Sequence, residues 1–205
     1  MSHRTDPSSQ EGGTIVTSIT DFEYTVTSAA WSPDGRSFVV GSHDTKRALS
    51  VYSLDTGKKV YSFAQPGESL RVTDVSISED GSSLAVVTHN DQRVLIYDFR
   101  SRQRIADWSM EDTITCVNLS HDGKTVLVSM NNSKLVLFDV ATGDVVQHYP
   151  GLKQKRFIIR SNFGGAGQNF VVSGSEGMFC NHRSDQRHFD SLPASVITWI
   201  LWSAR

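Results

Sequence analysis

Three recurrences along the chain predict an all-β fold, a propeller of repeated four-stranded sheets. Asp-Gly turns fall at Asp34-Gly35, Asp80-Gly81 and Asp122-Gly123, 46 and 42 residues apart. A β-branched residue followed by Thr (Val26-Thr27, Val72-Thr73, Ile114-Thr115) opens the run before each turn at the same spacings. The strand after each turn region ends aromatic–polar–apolar, as Tyr52-Ser53-Leu54, Tyr97-Asp98-Phe99 and Phe138-Asp139-Val140. Short apolar runs recurring every roughly 40–50 residues mark a radial stack of sheets. A β-sandwich offers short strands and frequent turns too, but does not require turn chemistry at this period.

Taken in order, residues 1–13 are polar and read as a disordered segment. Residues 14–177 read as a partial propeller, with blades at about 24–65, 70–110, 112–150 and 155–177, and Ile15–Ile19 as the last strand of a preceding unit. The third blade is the cleanest: apolar runs at 114–119, 125–129, 134–140 and 145–149 are separated by HDGK, NNS and ATGD. Their Val, Leu, Ile and Phe content suits strands, and Gly123 and Gly143 supply the positive φ that tight turns need. In the fourth copy, FIIRSNFGGAGQNFVVSGSEG aligns with the first blade, placing Phe163 under Trp31 and Phe170 under Phe38. After Gly177 no third strand ends in an aromatic–Asp pair, so 178–205 reads as a divergent tail in which Trp199 and Trp202 have no place. The expectation is three full blades plus part of a fourth. Trp31, Phe38, Val39, Val40, Val51, Leu84, Val86, Leu95, Ile96, Leu127, Leu135, Leu137 and Phe163 read as inter-blade core. Each contributes roughly 1.5–3 kcal/mol when buried.

Composition narrows the chemistry. A chain of 205 residues with 38% hydrophobic content can bury a substantial core. A net charge of −2 gives no general pull toward nucleic acid or an anionic membrane. Cys116 and Cys180 lack zinc-type spacing and read as reduced, packed thiols of a cytoplasmic and/or nuclear protein. No signal-peptide pattern is present, and the apolar run Val196–Trp202 is too short to cross a bilayer. Neither a G-x-S-x-G elbow nor a P-loop, an H-E-x-x-H helix or a kinase set occurs, so the chain reads as a non-enzyme without cofactor or metal. Gly164-Gly165-Ala166-Gly167 lacks the Lys and helix of a phosphate loop and reads as a hairpin connection. His43, His89 and His121, with Glu79-Asp80 and Glu111-Asp112, fall in turns and read as solvated.

What remains is loop presentation by a scaffold. In a blade meander, the turns between second and third strands share a face with the links between blades. Lys46, Arg47, Arg71, Arg93, Lys134, Lys153, Lys155 and Arg156 fall there and are the candidate partner-binding residues. Lys153 to Arg156 is the densest cluster, and Asp44, Glu68, Asp91, Glu111 and Asp112 temper the bias. Such a face suits an acidic partner segment through charge-assisted contacts. Unpaired outer blade faces also predict self-association.

The Tyr-Ser, Tyr-Asp and Phe-Asp pairs stand where the WD-repeat family has Trp-Asp, and the chain resembles that family, though its Gly-His dipeptide is missing from every copy. Over 114–177 the likeness is narrower. Tyr149-Pro150-Gly151, the basic link, Phe163-Gly164-Gly165 and Ser173-Gly174-Ser175-Glu176 resemble the late blades of the glucose-induced-degradation WD proteins of the GID/CTLH ubiquitin ligase. The resemblance implies a scaffold and substrate receptor in proteasome-dependent degradation, with ligase subunits and degron-bearing substrates as partners. Its alternatives are a generic WD-repeat adaptor and a non-functional truncated product. A lipid-binding WD protein is disfavoured because Phe99-Arg100-Ser101-Arg102 breaks that group's F-R-R-G motif. The subfamily's LisH and CTLH helices and its C-terminal blades have no counterpart here. The expectation is therefore a truncated chain whose tail arises from a frameshift or retained intron.

Overall fold

The Ser-x-Asp-Gly sequences fold into one turn used three times. In each, the serine hydroxyl donates to the aspartate Oδ1, at 2.5 Å for Ser32–Asp34, 2.6 Å for Ser78–Asp80 and 2.8 Å for Ser120–Asp122. The same oxygen accepts the N–H of Arg36, Ser82 and Lys124. Gly35, Gly81 and Gly123 take φ of 66°, 68° and 65°, a region that strains any residue with a Cβ. The computed structural model describes residues 15, 18–65, 67–176 and, for the backbone alone, 198–203.

These turns and their outer counterparts cut the chain into four antiparallel sheets. The first contains β1 (Val26–Trp31), β2 (Ser37–Ser42), β3 (Leu49–Ser53) and β4 (Lys59–Ser62). The second contains β5 (Val72–Ile77), β6 (Ser83–Thr88), β7 (Arg93–Asp98) and β8 (Arg104–Ser109). The third contains β9 (Ile114–Leu119), β10 (Thr125–Met130), β11 (Lys134–Asp139) and β12 (Val145–His148). The fourth contains β13 (Ser161–Gly164), β14 (Phe170–Ser175) and β15 (Thr198–Ser203). Sheets stack in sequence order, with β1 beside β5, β5 beside β9 and β9 beside β13. This is an incomplete β-propeller.

Strand alternation distributes the core. In β6, Leu84 and Val86 face the first sheet while Ala85 and Val87 face the third. In β10, Val126 and Val128 face the second sheet while Leu127 faces the fourth. A strand buried on both faces favours apolar residues at successive positions, which is why β6 carries Leu84–Val87 and β10 carries Val126–Val128 as unbroken apolar runs.

The recurring Val/Ile-Thr pair has a definite job. Thr27, Thr73 and Thr115 are each the extra residue where the first strand slips register against the second, a bulge that increases local twist. Thr27 Oγ1 donates to Gly41 O and, across sheets, to Val72 O. Val60, Ile105 and Val146 are skipped in the same way on the outer strands and are exposed, which accounts for three apolar side chains on the surface.

The first strands would otherwise leave an unpaired edge along the axis. Asp74 of β5 fills much of that need. Its side chain is 1% exposed and accepts from Ser28 Oγ at 2.8 Å, from the Val117 N–H at 3.1 Å, and from both Arg160 Nη atoms at 3.1–3.3 Å. Ser76 repeats the device one step along by accepting from the Leu119 N–H at 3.0 Å. Further round, Cys116 sits buried against Ser129 and Ser161, and burial pushes its thiol up, away from the reactive thiolate. Cys180 lies outside the described residues.

Three expectations change. Trp31 is 59% exposed rather than core. Phe163 does not take its place: Gly164 pairs with Phe170 as Trp31 pairs with Phe38, so the fourth copy is shifted by one residue. A one-residue shift reverses the face, and Phe163 packs inward as Ala30 does. The strand expected over Ile15–Ile19 lies partly outside the described residues; ahead of β1, Phe22 covers Tyr52, with ring centroids 5.9 Å apart. Trp199 and Trp202, given no place by the repeat, fall in β15, which pairs antiparallel with β14 over its full length. The expected disorder of 1–13 falls outside the described residues, as does most of the tail.

Asp74→Ala should destabilise the chain by about 3 kcal/mol, because it orphans a buried N–H and removes hydrogen bonds to a charged group. Urea unfolding followed by tryptophan fluorescence measures this. Asp34 and Asp80 are held below the usual carboxylate value by the hydroxyls of Ser32 and Ser78. A lowered folded value means their stabilisation is present above the unfolded value and is lost as pH falls through the lowered one. Unfolding in acid below about pH 4 should therefore show less pH dependence in Asp80→Asn than in the wild type.

Candidate interaction rim

Loops between second and third strands and links between sheets meet on one face. His43 meets His89 in a tilted ring contact, with centroids 4.5 Å apart, and Ser133 bonds the backbone of Gln154. The predicted cations therefore share a face, but they are not equivalent. Lys46 lies 3.5 Å from Glu23 and Arg47 3.6 Å from Asp21. Arg93 pairs with Asp91 at 3.2 Å and with Asp107. Lys134 reaches Asp112 at 3.3 Å and Glu111 at 3.8 Å. The chain's own acids thus occupy Lys46, Arg47, Arg93 and Lys134. Arg71, Lys153, Lys155 and Arg156 make no side-chain ion pair among the described residues.

The basic link at 153–156 is rigidly seated. Glu176, just past β14, accepts the N–H groups of Lys155 (2.7 Å), Arg156 (2.9 Å) and Phe157 (2.9 Å) on its carboxylate. Those amides, Lys155 foremost, hold its carboxyl below the usual value. The Glu176 N–H returns to Lys153 O at 2.7 Å, and the Lys153 N–H donates to Ser175 Oγ. With the backbone committed inward, the Lys155 and Arg156 side chains point to solvent, as do Phe157 (57% exposed) and Ile158 (71%).

A cleft of about 280 Å³ lies beside this loop, lined by His89, Thr115, Asn131, Gln154, Arg156 and Ile158 among others. Gln154 is buried, and its Oε1 has no hydrogen-bond partner. Burial pushes the His43 imidazole down, and the charges of His89 and Arg71 add to the effect. His43 is thus half-buried rather than solvated.

On the opposite face His121 is also more than a free turn residue. Its Nδ1 meets Glu79 at 2.7 Å and its N–H donates to Gln168 at 2.6 Å, lacing three turn regions together. Gly164 ends β13, and Gly165 to Gly167 lie in the β13–β14 hairpin connection that their place in the repeat predicted. Among the described residues no group of three or more His, Cys, Asp or Glu could hold a metal ion, and no helix is long and apolar enough to cross a membrane.

Sequence reasoning located the basic cluster but missed Glu176, Gln154, Phe157 and Ile158. Glu176 had a signal, since it closes the Ser173-Gly174-Ser175-Glu176 string. Gln154 had none.

Sheets in sequence order with a loop-bearing rim define a repeat propeller of the kind that typically serves as an interaction scaffold. Residues 46–121 match the family described as Anaphase-promoting complex subunit 4 WD40 domain, and residues 13–46 match WD domain, G-beta repeat. The chain belongs to the WD-repeat family. It is 34% identical over 183 residues to the WD repeat-containing protein 26 homolog of Arabidopsis thaliana, covering 86% of this chain and 30% of that protein. It is 31% identical over 159 residues to GID complex subunit 7 of Schizosaccharomyces pombe, covering 75% of this chain and 30% of that protein. This chain thus spans about 30% of the length of these relatives. The solved structure of U3-55K superposes with a TM-score of 0.63 at 17% identity, over 76% of this chain and 47% of that one.

Glu176→Ala should release the link without unfolding the sheets. Hydrogen exchange at the Lys155, Arg156 and Phe157 amides is expected to rise, with β9 to β11 unchanged.

Proposed function

We propose that the chain acts as a non-enzymatic interaction scaffold in a ubiquitin ligase assembly of the GID/CTLH kind, in the cytoplasm and/or nucleus. It helps hold substrates for ubiquitin transfer by other subunits and so feeds proteasomal degradation. The observation that carries this reading is the 31% identity to GID complex subunit 7 over 75% of the chain. The local role assigned to the rim rests on Arg71, Lys153, Lys155 and Arg156, which make no side-chain ion pair among the described residues. Lys46, Arg47, Arg93 and Lys134 then serve mainly to fix their own loops. Docking involves an acidic segment of a ligase subunit or substrate, not nucleic acid or membrane.

A second reading, a WD-repeat adaptor in another assembly, is favoured by the match of residues 46–121 to the anaphase-promoting complex subunit 4 domain. Affinity purification from cells with mass spectrometry separates the two. Recovery of RING and LisH/CTLH subunits is the expected result, and their absence alongside another complex supports the adaptor. The triple charge reversal Lys153→Glu, Lys155→Glu, Arg156→Glu should reduce that recovery about ten-fold; unchanged recovery removes the link from the docking surface. Trp31 on the first sheet and Phe170 on the fourth are exposed, which supports self-association through the outer faces. Light scattering should find oligomers in the purified chain, and a monomer at all concentrations would contradict that.

A further inference from the structure

We propose that the cleft beside the 153–158 link recognises an extended partner segment in which a carboxylate lies next to an apolar side chain. This deepens the docking role given to the rim above and rests on it. Three separate observations converge on one place. Lys155 and Arg156 project from a backbone pinned by Glu176, so two cations are presented in a fixed position with no side-chain ion pair among the described residues. Phe157 and Ile158 continue the same loop and are exposed although both are strongly apolar, beside a cleft lined by the same four residues. Gln154 Oε1 opens the third requirement, a buried acceptor without a donor on the cleft wall. Buried acceptors are almost always paired, and an extended peptide carries the missing donor in its main-chain N–H.

The chemistry then fits in order along the loop. Once the Gln154 amide turns toward the cleft, a partner N–H donates to its Oε1, a partner carboxylate accepts from the Lys155 and Arg156 donors, and a neighbouring apolar side chain covers Phe157 and Ile158. A segment with charge alone would leave the apolar pair wet, and a segment with apolar residues alone would leave the cations unpaired. Rim cations already bound to Glu23, Asp21, Asp107 and Asp112 do not compete for it. Because the loop is already ordered by Glu176, little ordering accompanies binding.

Fluorescence anisotropy on the whole chain tests this with a labelled peptide of alternating Glu and Leu, against Gln-Leu, Glu-Ser and Lys-Leu peptides of equal length. The Glu-Leu peptide should bind about ten-fold or more tighter than each control, since both classes of contact are required. Phe157→Ser should weaken it about ten-fold, as should Lys155→Glu with Arg156→Glu. Phe157 is exposed, so this variant should melt as the wild type does; Gln154→Leu, at a buried position, serves as a secondary variant. Equal affinity for Glu-Leu and Glu-Ser, or indifference to Phe157→Ser, overturns the cleft while leaving simple charge docking standing. No binding of Glu-Leu by the wild type, or preference for Lys-Leu, overturns it as well. Charge docking itself falls separately, if the triple reversal leaves ligase-subunit recovery unchanged.

Discussion

A single buried carboxylate carries an unusual share of this architecture. A propeller's first strands run along the axis with one edge paired and the other facing their neighbours. Unpaired N–H groups on that edge must find acceptors or weaken the stack. Asp74 supplies acceptors in three directions at once, to Ser28 on the sheet before it, to Val117 on the sheet after it, and to Arg160 at the entry of the fourth sheet. A carboxylate this buried is tolerable only when its lone pairs are used and a cation balances it. Arg160 does the second while staying 64% exposed, so its own desolvation is small.

The rest of the molecule follows from keeping the axis tight. Threonine bulges at 27, 73 and 115 twist each first strand at the same height, and the Ser-x-Asp-Gly turns return the chain in the same way in three successive sheets. Regular sheets put their second-to-third-strand loops at equivalent positions, so the rim is a set of loops on fixed supports rather than a deformable surface. The link at 153–158 is the place where this matters most. Glu176 holds it from the adjoining sheet, and only there do uncommitted cations, exposed apolar side chains and an unpaired buried acceptor coincide among the described residues.

Turn chemistry was the most legible layer, because Asp-Gly and Ser-x-Asp act within five residues of themselves. The first three sheets followed directly from it. Legibility failed where the determinant was long-range. Phe163 and Trp31 look equivalent in an alignment anchored on Phe38 and Phe170, yet five residues separate Gly164 from Phe170 where six separate Trp31 from Phe38, and the shorter connection moves one of them to the other face. Strand Thr198–Ser203 falls in the apolar run Val196–Trp202 but lacks the aromatic–Asp end of the repeat, so the repeat pattern does not place it; its pairing with β14 is a tertiary event. At the rim, composition found every cation but could not say which were spent. Lys46 looks as available as Lys155 until Glu23, ahead of β1, is placed 3.5 Å away. Asp74, an acid within the strand VTDVSI, was a local signal that went unread, because its partners lie on or beside three other sheets.

The most direct test of this account is native-state hydrogen exchange compared between the wild type and Asp74→Asn. If the carboxylate ties the sheets together, protection should fall jointly in β1, β9 and β13, on three different sheets, while β7 and β11 keep theirs. Loosening confined to β5 would contradict the account and make Asp74 a local feature of its own strand.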